Sequence, residues 1–152
     1  MKKIRFIPAI ALALATATTS VQAHDDAYLD TQQAPHGGQL RMAGAYHLEL
    51  VVDKSTPQAA DKTVVVYVTD HAGQKVSTEG ATGNATILAA KGKASVALGP
   101  DGDNRLKGTG RYASTADMKA IGGFTAKGQS PETARFTPLL KPMEAHMDHT
   151  KH

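Results

Sequence analysis

The sequence predicts an all-β protein, a small antiparallel β-sandwich or barrel of about seven to eight strands. Apolar and polar residues alternate with a period of two in several short segments, which is typical of half-buried strands. Clusters of Gly, Pro, Asn and Asp separate these segments about every 8–12 residues. No segment after residue 24 keeps a helical period over about ten residues, so no long helix is expected.

The predicted strands differ in how clearly their pattern indicates two faces. In segment 46–53 the even-numbered positions are mostly apolar, whereas His47 and Glu49 share the opposite face. Segment 63–69 is apolar on both faces, so we expect it near the centre of the sheet. The predicted strands span residues 39–42, 46–53, 63–69, 85–89, 94–98, 105–108, 119–126 and 133–137.

The start of the chain has the pattern of a secretory signal peptide. Lys2, Lys3 and Arg5 precede about ten mostly apolar residues, and small residues surround a cleavage site predicted after Ala23. This stretch is too short to span a bilayer permanently, since a membrane helix needs about 20 residues. We therefore expect an exported, periplasmic protein. Its expected organisation is a signal peptide (1–23), a flexible N-terminal arm and loop (24–38), a β-sandwich domain (39–137) and a flexible Met/His-rich tail (138–152).

Composition excludes several classes of function. Three of the 17 Lys and Arg residues lie in the predicted leader, so the remaining 14 equal the 14 Asp and Glu residues. A chain without net positive charge is not expected to bind nucleic acid. The absence of Cys excludes disulfides and thiolate chemistry. No nucleophile elbow or phosphate-binding loop is present, and we expect no enzymatic activity.

The seven histidines all follow the predicted cleavage site, and their distribution indicates metal binding. Imidazole is the commonest protein metal ligand, and thioether sulfur favours Cu(I). The tail combines both donor types, although a polar tail that only aids solubility would have a similar composition. The predicted tail ligands are Met143, His146, Met147, His149 and His152.

Two further groups of candidate ligands lie outside the tail. After cleavage His24 would offer its α-amine and its imidazole to one ion, or it would simply begin a disordered arm. His47 and Glu49 could share an ion on the exposed face of their strand with help from His36, or the two histidines could be solvated or turn-capping residues. A three-residue turn at 43–45 is expected, which makes Met42 a core residue. His71 is expected to be solvated or to cap a turn.

Two segments resemble known proteins. Pro35-His36-Gly37-Gly38-Gln39 and the run from Gly44 to Val51 are similar to small exported proteins of bacterial heavy-metal and copper resistance systems. Related His-Gly-Gly segments occur in periplasmic adaptor proteins of metal-efflux pumps. The resemblance implies an Ig-like periplasmic sandwich that handles copper through His36, His47 and Glu49. A looser similarity, through His24, is to copper-resistance proteins with a cupredoxin-like barrel.

The predicted function is periplasmic metal binding, with copper as the expected ion and zinc or silver as alternatives. The protein would buffer the ion or pass it to an efflux-pump partner by ligand exchange, in metal homeostasis or resistance. One alternative is a non-catalytic β-sandwich module that docks on an envelope or efflux-pump partner. A further alternative is a copper-dependent oxidase that uses an N-terminal His.

Overall fold

The computed structural model describes residues 25–140 and confirms the all-β prediction. The predicted signal peptide, His24 and all five predicted tail ligands lie outside this range. One short helix, α1 (Asp26–Asp30), precedes the strands. The strands are β1 (Gln39–Ala43), β2 (Tyr46–Val52), β3 (Ala60–Asp70), β4 (Thr82–Ala89), β5 (Gly92–Pro100), β6 (Arg105–Tyr112), β7 (Lys119–Thr125) and β8 (Glu132–Phe136).

The eight strands form one antiparallel sheet that curls into a nearly closed barrel. Their order is β1-β2-β3-β6-β5-β4-β7-β8, and each neighbouring pair is antiparallel. The two edge strands approach each other, and a side chain bridges the seam: the backbone N–H of Thr137 donates to Oε1 of Gln39 at 2.7 Å. Among residues 25–140, no helix is long and apolar enough to cross a membrane.

The interior of the barrel is filled by the side chains that face inward, which are alternate residues of the strands. Leu48 and Leu50 on β2 and the alternate valines of β3 are fully buried, as the period-two pattern predicts. Burial of each such side chain contributes about 1.5–3 kcal/mol. Phe124 and Phe136 fill the opposite side, where Gly122 makes room because a Cβ there would lie 3.0 Å from the Phe136 ring. Strand β7 therefore continues through its two glycines.

The β1–β2 hairpin corrects the predicted register. Only Gly44 and Ala45 connect the strands, and Met42 pairs with His47 instead of Tyr46. Gly44 has a φ of 57°, which allows this tight connection. Directly opposite residues share a face. Met42 therefore lies on the outer face with His47, and its predicted place in the core is wrong.

The N-terminal arm is anchored to strand β1. The Asp25 carboxylate caps α1 by accepting from the backbone N–H of Tyr28 at 2.8 Å. Asp30 and Arg41 form an ion pair at 2.7 Å. Leu29 is buried, with 3% of its surface exposed. The sequence predicts that His47 and Glu49 lie on an exposed face, and this is wrong: both are buried beneath the N-terminal arm, whose Leu29 lines the same groove.

Candidate functional site

A groove of about 370 Å³ lies between α1, the loop 31–38 and the outer face of β2 and β3. We call it the histidine groove because three of the seven histidines line it. It also contains a carboxylate, two phenols and the apolar side chain of Leu29. The polar and aromatic lining residues are Tyr28, His36, His47, Glu49, Tyr67 and His71.

The register of β2 and β3 explains why these residues meet. Glu49 pairs with Tyr67, and His47 pairs with Thr69. Successive side chains of a strand alternate between faces, so all four residues share the outer face. His71 follows Thr69 by two positions and remains on the same side. The Asp70 carboxylate fixes the turn that carries His71 by accepting from the N–H of Ala72 at 2.9 Å.

Glu49 organises the loop that carries His36. Only 3% of its surface is exposed. Its Oε1 accepts from the backbone N–H of His36 at 2.8 Å and from that of Gly38 at 3.0 Å. A buried carboxylate is costly unless such bonds replace its hydration. Gly38 is required at this point, because a Cβ there would overlap the carbonyl oxygen of Leu50.

The His36 imidazole is held in one orientation by two neighbours. Its Nδ1 lies 2.8 Å from Oε2 of Glu49. Its ring stacks on Tyr67, with centroids 3.5 Å apart and planes 4° from parallel. A carboxylate can only accept, so Nδ1 is the donor in this bond. In the neutral ring the lone pair is therefore on Nε2.

His47 and His71 form a second aromatic pair in the same groove. Their ring centroids lie 5.1 Å apart and their planes differ by 21°. Nε2 of His71 lies 3.2 Å from the carbonyl oxygen of Gly44. A carbonyl only accepts, so Nε2 donates and the lone pair of neutral His71 is on Nδ1. His36 and His71 thus each have one ring nitrogen occupied by an oxygen acceptor.

A cation borders the groove behind the Tyr67 ring. Arg105 on β6 pairs with Tyr67 in the β3–β6 register. A hydrogen bond to the Tyr67 side chain, together with the charge of Asp101, raises the pKa of Arg105. The Arg105 guanidinium and the Asp101 carboxylate form an ion pair at 2.8 Å. The charge of this cation is therefore balanced locally by Asp101.

The structure brings together three of the predicted site residues and adds one. His36, His47 and Glu49 share the groove, but both Glu49 oxygens accept hydrogen bonds from the loop, so its carboxylate orients His36 rather than facing an open site. His71 was not predicted as a site residue. Its position two residues after Thr69 could have indicated that it lies on the same face of the sheet. Within residues 25–140, no group of three or more His, Cys, Asp or Glu side chains has the arrangement of a metal site.

Comparisons with protein-family models, with curated proteins and with solved structures found no significant match. The chemistry of the groove is therefore the basis for a functional proposal. That chemistry comprises imidazoles of defined tautomer, a buried carboxylate that orients one of them, and aromatic walls.

Proposed function

We propose that this protein binds copper in the histidine groove and acts in the periplasm, where it buffers the ion or passes it to an efflux partner. One observation supports this proposal above all. His36 and His71 line one groove, and each uses one ring nitrogen to bind an oxygen acceptor. Metal-binding histidines characteristically have this second bond, which fixes the tautomer and raises the basicity of the metal-facing nitrogen.

The available donors favour copper over zinc. A structural zinc site takes four protein ligands, whereas residues 25–140 contain no group of three or more His, Asp or Glu side chains placed to hold one ion. Two imidazoles are enough for monovalent copper or silver. Met42 lies opposite His47 on the same face and offers a thioether, which favours Cu(I), whereas imidazole also suits Cu(II). Silver is therefore a suitable redox-inert probe of the groove.

The proposed mechanism is ligand exchange without catalysis. Imidazole and thioether groups bind copper less tightly than thiolates, and the chain has no Cys. An ion held by two imidazoles retains open coordination positions that a partner can use. The five tail donors and His24 would then accept the ion from the groove or deliver it to an efflux partner. In this proposal the groove supplies specificity and the tail supplies exchange.

The test is a titration of the full chain with Ag(I) and Cu(II). The groove variant carries His36→Gln and His71→Gln, and the matched control carries His149→Gln and His152→Gln. Both variants lose two imidazoles, so a general loss of histidine affects them equally. We expect the groove variant to lose one equivalent of bound Ag(I) and the control to retain it. A thermal unfolding curve for each variant verifies that the barrel is folded.

Two outcomes would overturn the proposal. If only the control variant loses the ion, the tail is the binding site and the groove is not. If wild-type protein binds no more Ag(I) or Cu(II) than the doubly substituted groove variant, the groove has no role in metal binding. The groove would then be better interpreted as the recognition surface of a non-catalytic interaction module.

A further inference from the structure

A second surface of the barrel combines exposed aliphatic side chains with positive charge. Leu88 on β4 is 46% exposed and Ile121 on β7 is 41% exposed. Both point outward, since the neighbouring positions Ile87 and Ala120 are buried in the core. A shallow groove of about 330 Å³ runs between them. We call this surface the basic face, and its members are Leu88, Ile121, Lys91, Lys93, Lys119 and Arg135.

The strand register places a cation next to each exposed aliphatic residue. Leu88 pairs with Lys93 on β5 and with Lys119 on β7. Ile121 pairs with Arg135 on β8. Directly opposite side chains on a sheet have Cβ atoms about 4.5–5.5 Å apart. The long aliphatic stems of these cations therefore extend the apolar surface, while their charged ends reach outward.

The cations of the basic face are not neutralised by neighbouring acids. Lys91, Lys93, Lys119 and Arg135 form no ion pair with any residue in the range 25–140. Asp117 is the one acid that lines a second depression, next to this groove, together with the three lysines. The basic face therefore has four cations with one acid, Asp117, beside them.

We propose that the basic face docks on an anionic membrane surface. Leu88 and Ile121 would enter the region between headgroups and acyl chains, and the four surrounding cations would contact lipid phosphates. Exposed aliphatic residues flanked by Lys and Arg have this amphipathic character, and anionic lipids attract clustered cations. An acidic protein is a poorer match, because protein interfaces are depleted of Lys and enriched in aromatic residues. The basic face has three lysines and no aromatic member.

The sheet order determines how the bound protein would be oriented. Strands β4 and β7 are separated from β2 and β3 by β6 and β5 on one side and by β8 and β1 on the other. In a nearly closed barrel these two strand pairs lie on opposite sides. Docking through the basic face would therefore leave the histidine groove directed away from the bilayer. The docking proposal does not depend on metal binding.

The test is sedimentation of the full chain with vesicles of phosphatidylcholine, alone or mixed with phosphatidylglycerol. One variant carries Lys93→Gln, Lys119→Gln and Arg135→Gln. Its control carries Lys54→Gln, Lys75→Gln and Lys127→Gln, which remove the same charge from other surfaces. Residues 1–24 are identical in all proteins, so any contribution from them cancels. We expect the first variant to lose roughly 100-fold in affinity for the anionic vesicles and the control to lose less than about fivefold.

A further variant tests the aliphatic contribution. Leu88→Ser with Ile121→Ser retains all the charges, and both positions are exposed, so the barrel should fold. We expect this variant to bind the anionic vesicles at low salt and to dissociate from them at an ionic strength at which the wild type remains bound. Equal losses in both charge variants, or no preference for phosphatidylglycerol, would overturn the proposal. Tighter binding to soluble polyglutamate than to vesicles would indicate an acidic protein partner and would also overturn it.

Discussion

The buried carboxylate of Glu49 accepts the Nδ1 proton of His36 at 2.8 Å while it also accepts two backbone N–H groups of the same loop. These bonds join strand β2 to a segment that comes 11 to 13 residues earlier in the chain. The conformation of the loop and the orientation of the imidazole therefore depend on one side chain. Any change that weakens this carboxylate should affect both stability and binding in the groove.

Substitution of Glu49 by Gln should weaken metal binding without removing a ligand. The amide oxygen can replace Oε1 as acceptor of the two backbone bonds, but its NH2 group then donates to Nδ1 of His36 and the imidazole proton moves to Nε2. Loss of such an outer partner typically lowers metal affinity about 10–100-fold. The measurement is the dissociation constant for Ag(I), with Glu79→Gln as an exposed control. Unchanged affinity in Glu49→Gln would show that His36 does not bind the ion through Nε2.

Gly38 should tolerate no side chain, whereas Gly99 should. A Cβ at Gly38 would overlap the carbonyl oxygen of Leu50, and the site at Gly99 has open space. We expect Gly38→Ala to lower the free energy of unfolding by about 1–3 kcal/mol. Gly99→Ala should change it by less than about 1 kcal/mol. Urea unfolding of the two variants measures the difference, and equal stabilities would contradict the close packing of the His36 loop.

Tyr67 should matter to the groove through its ring. Tyr67→Leu removes the surface on which His36 stacks, and Tyr67→Phe retains it. An aromatic pair contributes about 0.5–1.5 kcal/mol beyond its buried area. The Leu variant should therefore bind Ag(I) about 2–10-fold more weakly, and the Phe variant should bind nearly as the wild type does. If Phe weakened binding as much as Leu, the phenol hydroxyl and not the ring would be the important feature.

Much of the fold could be predicted because the barrel strands are patterned locally. Each predicted strand corresponds to an observed one, and His47 and Glu49 lie on one face, as the alternation indicates. Strand β7 is continuous where Gly122 and Gly123 indicated an interruption. A glycine inside a strand can signal a break or close packing, and only the tertiary position of Phe136 distinguishes the two.

The groove itself depends on contacts that the sequence does not encode locally. A two-residue turn at Gly44 shifts the predicted register by one position, which moves Met42 from the core to the outer face. The short helix α1 covers part of that face, because Leu29 lies beside Leu40 and His47 in the histidine groove and Asp30 forms an ion pair with Arg41 of β1. His71 joins the groove through the pairing of β2 with β3. None of these relationships follows from periodicity within one segment.

Tyr112 should make the barrel sensitive to high pH. Its hydroxyl donates to the carbonyl oxygen of Thr63 at 2.6 Å and accepts from the N–H of Asp53 at 3.0 Å. Burial raises the pKa of this phenol above its ordinary value of 10.0. The folded state therefore retains the proton to higher pH than the unfolded state. The resulting stabilisation is complete below about pH 10 and is lost as the pH rises through the raised pKa.

The measurement is urea unfolding of the wild type and of Tyr112→Phe at neutral pH and above about pH 10. At neutral pH the Phe variant should be less stable by about 1 kcal/mol because a hydrogen bond is lost. Above pH 10 the difference in the free energy of unfolding between the two proteins should narrow, because only the wild type is destabilised by ionisation of this phenol. An equal difference in unfolding free energy at neutral and at high pH would contradict the raised pKa of Tyr112.

The most direct test of the groove uses ¹⁵N spectra of the histidine rings, recorded before and after one equivalent of Ag(I) is added to the full chain. The structure predicts that Nδ1 of His36 and Nε2 of His71 carry protons. Silver should then shift Nε2 of His36 and Nδ1 of His71 together. Shifts confined to His146, His149 and His152, or opposite tautomers of the two groove histidines, would contradict metal binding in the groove.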